Sequence, residues 1–275
     1  MIQHTLKTQL EGPEMVIPPG CHDALGVKII EQAGFEAVYM TGNGLSASLI
    51  GAPDIGLLTL TEMAERGYAF AHSVNIPVIA DGDTGYGNVN NVQRTVRAYE
   101  TAGIAAVHFE DQVTPKRCGA MAGIALISPE EHAEKIQAAR EARSNNNFLI
   151  IGRTDARIPN GFEDALARGQ AYARAGADLV LLEMLQSEDE IRQAVREIDA
   201  PLMFNVVDGR TPPLSISRFR ELGVRLLCFP VSSTLAYACM MRSFAAHLKS
   251  QGNTSGFSQL SLEEYETILE RQKYQ

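Results

Sequence analysis

The sequence predicts a (β/α)8 TIM barrel with extra C-terminal helices, on three observations. Short apolar runs alternate with longer amphipathic helical patterns along the whole chain. There are eight such runs, most of them continuously apolar, as in strands of a parallel sheet that is buried on both faces. No GxGxxG motif follows the first run, so a doubly wound open sheet is the weaker alternative. An α/β barrel of 275 residues is ordinary as a single domain, here residues 1–275.

The predicted strands are short and end in Gly, Asp, Asn or Pro. They are residues 15–19, 37–41, 77–81, 106–110, 148–153, 179–184, 202–207 and 225–230. The helices between them carry capping signals, such as the Ser-Pro-Glu-Glu that opens residues 128–143. The other predicted helices are residues 23–32, 90–101, 161–175, 187–198, 215–222 and 232–248. A polar linker at 250–258 then leads to a last helix at 260–273.

Composition and charge narrow the class of function. The net charge is −9 and no run is rich in Lys or Arg, so a nucleic-acid partner is not expected. No apolar run reaches the roughly 20 residues of a membrane span, so no membrane partner is expected either. Four Cys without a CxxC pair are typical of a reducing compartment, and residues 1–15 lack an apolar signal-peptide core. A cytoplasmic protein is therefore expected.

Polar residues end six of the eight predicted strands, where the active site of a barrel lies. The residues at these ends are Thr41-Gly42-Asn43, Asp81-Gly82-Asp83, Glu110-Asp111, Arg153-Thr154-Asp155, Glu183 and Asn205. Each one alone is also a common turn or capping residue. Arg153 can grip a substrate carboxylate, or form an ion pair with Asp155 or Glu183. The Gly-rich turn at 41–44 leads into a helix and can hold an anionic oxygen.

Asp81-Gly82-Asp83 is the sharpest local signal. Residues i and i+2 of a strand point the same way, so both carboxylates are predicted to face the barrel mouth. Two close carboxylates repel unless a cation lies between them. Oxygen ligands without His or Cys favour Mg2+, with Mn2+ as an alternative. The competing interpretation is that the pair caps the helix at 90–101.

The long connection at 112–127 is a candidate lid. It holds Pro115, Gly119 and Gly123, and Lys116-Arg117 precede Cys118. Adjacent cations lower a thiol pKa, so an activated Cys118 that closes over the site is predicted. The alternative is an inert cysteine on a solvated loop.

These residues resemble the isocitrate lyase/phosphoenolpyruvate mutase superfamily. The matching segments are PGCHDALGVKIIEQAGFEAVYMTGNG, GAPDIG, ADGDTGYGN, AAVHFEDQ, PKRCG, IIGRTDA and LLEM, within residues 15–230. PKRCG is similar to the carbon–carbon lyases of the group, such as methylisocitrate lyase and dimethylmalate lyase. The resemblance implies a barrel with an exchanged terminal helix packed on a neighbouring subunit, a Mg2+ site and a homotetramer built as a dimer of dimers.

The resemblance also implies roles for individual residues. Metal binding is implied for Asp81, Asp83, Glu110 and Asp54; substrate binding for Thr41, Gly42, Asn43, Gly119, Arg153, Glu183 and Asn205; and catalysis for Cys118, Tyr39 and Arg153. Tyr39 stands two residues before Thr41 on the same strand, but it is equally typical of a core tyrosine. Cys118 is the implied general acid, and Tyr39 or a metal-linked carboxylate the implied base.

The sequence departs from the lyase pattern at three positions. Ala120 and Ile124 stand where relatives carry His and Lys, and Leu235 stands where methylisocitrate lyases carry Arg. Fewer cations favour a substituted malate over a tricarboxylate. The expected reaction is Mg2+-dependent cleavage of a 2-hydroxy carboxylate into a 2-oxo acid, pyruvate or glyoxylate, and a second carboxylic acid. Alternatives are an oxaloacetate decarboxylase or 2-oxo acid hydrolase, a phosphonomutase, and a barrel that binds without catalysis.

Overall fold

The computed structural model describes residues 5–274 and shows eight parallel strands in sequential order. The strands are β1 (Gly20–Cys21), β2 (Val38–Met40), β3 (Val78–Asp81), β4 (Ala106–Glu110), β5 (Leu149–Thr154), β6 (Leu179–Leu182), β7 (Leu202–Asn205) and β8 (Leu226–Cys228). Single bridges pair Val16 with Leu226 and Pro19 with Phe229, and these bring the first segment back to the last strand. The sheet is thereby nearly closed, and the predicted TIM barrel is confirmed.

Seven predicted strands are confirmed to within two residues at each end, but the first is misplaced. The structure has β1 at Gly20–Cys21 rather than at residues 15–19. Pro18 and Pro19 explain the difference, because proline has no N–H to donate to a ladder of hydrogen bonds. Only isolated bridges form before Gly20.

Helices cover the outside of the barrel. In order they are α1 (Leu6–Glu11), α2 (Ala24–Gln32), α3 (Gly42–Ile50), α4 (Leu60–Ala71), α5 (Val89–Ala102), α6 (Pro129–Ala142), α7 (Phe162–Ala175), α8 (Glu188–Glu197), α9 (Ile216–Glu221), α10 (Ser232–Gln251) and α11 (Leu262–Ile268). Six predicted helices agree to within one residue at each end. Helix α4 was not predicted, although its capping box between Thr59 and Glu62 is a readable start signal. Among residues 5–274, no helix is both long and apolar enough to cross a membrane.

The core has two parts. One lies between strands and helices, and the smaller one fills the barrel, with Tyr39, Ile79, Ile151 and Leu181 among its side chains. Leu6 of α1 belongs to this inner part and is fully buried. The end of the barrel next to α1 is therefore closed by apolar packing, and the polar strand ends are left at the opposite end.

The C-terminal segment differs from the rest of the fold. Helix α10 buries none of its residues, and it exposes apolar side chains that include Leu235, Tyr237 and Met240. The predicted last helix at 260–273 is shorter, because Glu270 takes a left-handed φ of 56° between α11 and a 3-10 turn at Arg271–Tyr274. Within the chain, α11 lies on α2, where Lys28 Nζ is 2.8 Å from Glu270 Oε2. Packing on a neighbouring subunit stays a prediction.

Candidate active site

The carboxyl ends of the strands surround a cavity of about 210 Å³. Ten of the predicted site residues line it: Tyr39, Thr41, Asn43, Asp54, Asp81, Cys118, Gly119, Arg153, Glu183 and Asn205. Gly42, Asp83 and Glu110 do not line this cavity. Gly42 and Asp83 border a small adjoining space that Asp54 shares, and Glu110 contacts Arg153. The structure therefore brings the predicted residues into one neighbourhood.

Asp81 and Asp83 are close, but not for the reason predicted. Strand β3 ends at Asp81, and Asp83 takes a left-handed φ of 46°, so the alternation of a strand does not orient the pair. Instead the chain turns back, and the Asp83 N–H donates to Asp81 Oδ1 at 2.9 Å. A Cβ on Gly42 would lie 2.5 Å from Asp81 Oδ2, so glycine is needed for this approach. The helix behind this loop is capped by Asn88, not by either carboxylate.

Lys116 supplies the positive charge at these carboxylates. Its Nζ lies 2.6 Å from Asp54 Oδ1 and 2.8 Å from Asp83 Oδ1, and its side chain is 3% exposed. Burial alone lowers the pKa of Lys116, but the carboxylates around it outweigh burial and hold this pKa well above its usual range. These ion pairs were not predicted, because in the sequence Lys116 is notable only as a neighbour of Cys118.

The pKa values of Asp81 and Asp83 are shifted in opposite directions. Burial raises the pKa of Asp83 to about 6, because repulsion from Asp81 and Asp54 adds to desolvation and only Lys116 opposes them. Burial also acts on Asp81, but His108, Lys116 and Arg153 outweigh it and lower the pKa of Asp81 to about 2. Asp81 is therefore the more firmly ionised of the pair.

The chemistry of the donor set fits a divalent cation. Neither oxygen of the fully buried Glu110 accepts a hydrogen bond from residues 5–274, although Arg153 Nη1 lies 3.2 Å from Oε2. Buried oxygens without donors are costly, and a hard cation would satisfy them. As the side chains stand, no three His, Cys, Asp or Glu groups in that part of the chain surround a common metal position. The Lys116 ammonium group instead pairs with both Asp54 and Asp83.

Arg153 both faces the cavity and makes ion pairs. Asp155 accepts two hydrogen bonds from it, Nε to Oδ2 at 3.1 Å and Nη2 to Oδ1 at 2.9 Å. The alternative interpretation of Arg153 as an ion-pair partner of Asp155 is thus confirmed. The guanidinium still lines the cavity, so the pairs fix its plane and leave a face for a ligand.

Glu183 and Asn205 form a second polar pair in the wall. Asn205 Nδ2 donates to Glu183 Oε2 at 2.8 Å, while Asn205 Oδ1 accepts no hydrogen bond from the described residues. Burial raises the pKa of Glu183, with Arg153 opposing the shift. The cavity is also lined by the apolar residues Met184, Val207, Pro230, Val231 and Leu235, which together are called its apolar wall.

Tyr39 lies at the floor of the cavity. Its hydroxyl is 2.7 Å from His108 Nε2, and His108 Nε2 is 3.7 Å from Asp81 Oδ1. Burial raises the pKa of Tyr39 well above its usual range and lowers the pKa of His108 to about 4, so both groups are neutral at pH 7. His108 was not predicted, although it stands two residues before Glu110 on β4 and therefore points into the barrel as well.

Cys118 faces the cavity from the loop at 112–127. Its backbone N–H donates to Asp54 O at 3.0 Å, and Asn43 Nδ2 is 3.8 Å from Sγ. The predicted lowering of the thiol pKa is wrong: burial raises the pKa of Cys118. The neighbouring cations do not reverse this, because Lys116 points to Asp54 and Asp83 and Arg117 is exposed to solvent. The thiol therefore keeps its proton at neutral pH.

Comparison with known proteins agrees with this geometry. The family model described as phosphoenolpyruvate phosphomutase matches residues 6–249. The 2,3-dimethylmalate lyase of Eubacterium barkeri is 44% identical over 252 residues, covering 91% of this chain and 87% of that protein. The 2-methylisocitrate lyase of Aeropyrum pernix is 44% identical over 229 residues, covering 83% and 73%.

Solved structures show the same architecture. A crystal structure of 2,3-dimethylmalate lyase, a member of the phosphoenolpyruvate mutase/isocitrate lyase superfamily, superposes with a TM-score of 0.93 at 34% identity, covering 98% of this chain and 91% of that one. A phosphonopyruvate hydrolase complex with oxalate and Mg2+ superposes with a TM-score of 0.89 at 31% identity, covering 99% and 96%. The chain therefore belongs to the phosphoenolpyruvate phosphomutase family, within the phosphoenolpyruvate mutase/isocitrate lyase superfamily.

Proposed function

We propose that this chain is a carbon–carbon lyase that cleaves a 2-hydroxy dicarboxylate with alkyl substituents into a 2-oxo acid and a second carboxylic acid. The observation that carries the proposal is the meeting of a protonated Cys118 thiol, the Arg153 guanidinium and Asp81 around one cavity with an apolar wall. The relatives named as lyases support the class of reaction.

The site offers a hard, anionic donor set for a metal. Asp81 and Asp83 would hold Mg2+, or Mn2+ in its place, with Glu110 and Asp54 nearby. A bound divalent cation acts as a Lewis acid that makes a substrate hydroxyl easier to deprotonate. The relative whose structure contains oxalate and Mg2+ supports this assignment.

Substrate is held by the polar part of the cavity. Arg153 grips one carboxylate, with its plane fixed by Asp155. Thr41, Gly42 and Asn43 at the start of α3 bind the carboxylate of the 2-oxo acid half. Gly119 lies against the Arg153 fork, where a Cβ would meet Arg153 Nη2 at 2.7 Å, and Glu183 with Asn205 completes this wall.

Cleavage begins with loss of the proton on the C2 hydroxyl. Tyr39 accepts this proton as it passes its own to His108 Nε2, which lies 2.7 Å away and has Asp81 beside it. The C2 oxygen becomes a carbonyl, and the C2–C3 bond breaks. Its electron pair moves to C3 and into the carboxylate attached there, where Arg153 stabilises the charge. The first product is a 2-oxo acid.

Cys118 completes the reaction. Its thiol donates a proton to C3, which gives the second carboxylic acid. When the loop opens, the thiolate takes up a proton from water and His108 releases its proton to water through Tyr39, which restores both groups. A general acid must carry its proton at working pH, and burial ensures this for Cys118. The hydrogen bond from Cys118 N to Asp54 O holds the thiol over the cavity.

The apolar wall selects the substituents. Leu235 and Ala120 line the cavity, so no Arg or His is available there for a third carboxylate. An uncompensated carboxylate against Leu235 would lose its hydration without gaining a partner. Methyl groups instead gain from burial against Met184, Val207 and Val231. A dimethylmalate-type substrate fits this wall, and a tricarboxylate such as methylisocitrate does not.

The proposal is tested by one substrate screen. The protein with Mg2+ is incubated with 2,3-dimethylmalate, 2-methylisocitrate and oxaloacetate, and pyruvate, CO2 and oxalate are measured. Pyruvate from 2,3-dimethylmalate, abolished by a chelator, is expected. CO2 from oxaloacetate alone would indicate a decarboxylase, oxalate would indicate a hydrolase, and Mg2+ binding without turnover would indicate a binding protein.

The assembly is proposed on separate grounds. The exposed apolar side chains of α10 support an exchanged helix in a homotetramer built from dimers. The proposed setting is the cytoplasm. Sedimentation at micromolar concentration tests the oligomer, with a monomer as the outcome against it.

A further inference from the structure

We propose that Asp111 is a positioning residue that sets the Arg153 guanidinium and anchors the base of the Cys118 loop. The inference rests on the proposed function, because it gives Asp111 importance through Arg153 and the loop. Asp111 follows β4, next to Glu110, and is fully buried. Its carboxylate lies outside the cavity, so it does not contact substrate directly.

The Asp111 side chain is saturated with donors from β5 and α7. Oδ2 accepts from Thr154 Oγ1 at 2.7 Å, Tyr172 OH at 2.7 Å and Arg168 Nη1 at 3.0 Å. Oδ1 accepts from the backbone N–H of Asp155 at 2.9 Å. Four donors to one buried carboxylate fix its position and make it a rigid reference for its neighbours.

The contact with Asp155 reaches the substrate site in one step. Asp111 holds the backbone of Asp155, and the side chain of Asp155 accepts both fork hydrogen bonds from Arg153. Arg153 has no other hydrogen-bonded carboxylate in residues 5–274, since Glu110 is near it without hydrogen-bond geometry. The plane of the guanidinium therefore depends on where Asp111 places Asp155.

A second set of contacts reaches the loop. The Asp111 carbonyl accepts from Ile127 N at 2.9 Å, and Arg168 Nη1 donates to Ile127 O at 2.9 Å. Between these points Val113 N donates to Ala125 O at 2.8 Å. Both ends of the segment 112–127 are thus tied to Asp111 and its partner Arg168. These contacts fix the position of both ends of the loop, and with them the place from which Cys118 faces the cavity.

Asp111→Asn is the direct test, with Asp178→Asn as a matched control. Asp178 also accepts from a β5 backbone N–H, that of Ile150 at 2.8 Å, and from Arg143 at 2.7 Å, but at the opposite end of the barrel. Asparagine at 111 would place an N–H2 group among donors, so the contacts cannot all re-form. Both variants are checked by circular dichroism and thermal unfolding.

The decisive measurement is the dissociation constant of oxalate, a dicarboxylate probe, by calorimetry in the presence of Mg2+. Asp111→Asn is expected to weaken oxalate binding by about tenfold or more, and to raise KM more than it lowers kcat, while Asp178→Asn stays within about twofold. Equal effects of the two variants would overturn the inference, since both then act through stability alone.

Two further variants keep the outcome decisive. If Asp111→Asn does not fold, Tyr172→Phe removes one donor and keeps the ring against His132, with about threefold weaker oxalate binding expected. Wild-type affinity in Tyr172→Phe would then overturn the inference. Arg153→Ala separates the two proposals: an unchanged affinity there, or no oxalate binding by the wild type, would overturn the proposed function and the inference with it. A loss in Arg153→Ala without one at Asp111 would overturn the inference alone.

Discussion

Glu110 and Asp111 are consecutive, both fully buried, and treated in opposite ways by the fold. Asp111 accepts four hydrogen bonds, whereas neither oxygen of Glu110 accepts one from the described chain. Burial raises the pKa of Glu110 well above its usual range, although Arg153 and Lys116 oppose the shift. A buried carboxylate that accepts four hydrogen bonds fixes the positions of its donors. A buried carboxylate that accepts none keeps its oxygens available for a ligand. Asp111 therefore belongs to the scaffold that positions the site, and Glu110 to the groups that can contact a ligand.

The largest effect on activity is expected from a substitution of Cys118, which faces the cavity. Cys118→Ser should lower kcat by about 10²–10⁴-fold, because a hydroxyl is a far weaker proton donor to carbon at this position. Oxalate affinity should stay near that of the wild type, since Arg153 and the carboxylates are unchanged. Steady-state kinetics and calorimetry check both values, and near-normal turnover would remove Cys118 from the mechanism.

The next largest effect is on protein stability, which substitutions of Asp111 and Glu110 should lower by different amounts. Asp111→Asn should lower the free energy of unfolding by about 1.5–3 kcal/mol, since it removes the buried charge partner of Arg168 and leaves Asp164 as its remaining ion-pair partner. Glu110→Gln should lower it by only about 1 kcal/mol, because no hydrogen bond is lost and Arg153 keeps its ion pair with Asp155 when the Glu110 charge is removed. Urea unfolding of metal-free protein measures both. Equal losses would mean that the two carboxylates contribute alike.

Leu235→Arg probes the apolar wall of the cavity. A guanidinium there should improve discrimination toward 2-methylisocitrate over 2,3-dimethylmalate by about 1.5–3 kcal/mol, through a charge-assisted hydrogen bond to the third carboxylate. The ratio of the two kcat/KM values measures this change. Leu235→Met keeps the wall apolar and serves as the control. An unchanged ratio in Leu235→Arg would show that this wall does not select the substrate.

His132, which packs on the Asp111 partner Tyr172, should make the stability of the protein depend on pH. Its ring is fully buried, packs on Tyr172 with centroids 4.5 Å apart, and burial lowers its pKa to about 3. The unfolded chain gains a proton here near pH 6.5 while the folded chain does not, so stability is complete above that pH and falls as the pH drops toward 3. About 2 kcal/mol should be lost between pH 7 and pH 5 from this group. His132→Leu should lack that part of the loss, and identical pH dependence of the two proteins would contradict it.

The sequence was sufficient for the barrel because parallel strands buried on both faces are continuous apolar runs, as at Leu149–Thr154. It failed at Pro18 and Pro19, where apolar character persists but a donor is missing. The strand ends predicted which residues lie around the cavity, but not which hydrogen bonds and ion pairs these residues form. Arg168 reaches Asp111 across 57 residues, and no local pattern reports such a contact. Likewise, two cations beside Cys118 looked like thiol activators, and only the fold shows that Lys116 turns toward Asp54 and Asp83.

Helix α10 buries none of its 20 residues, yet it carries Leu235, the residue that we propose discriminates between a methyl group and a carboxylate. It is tethered near its start, where Ser233 Oγ donates to Gly20 O at 2.5 Å and Thr234 Oγ1 lies 3.1 Å from His22 Nδ1. Under this proposal, discrimination between substrates depends on a helix that buries none of its residues within the chain. Since the proposed assembly packs α10 on a neighbouring subunit, dilution that separates the subunits would then change which acid is cleaved.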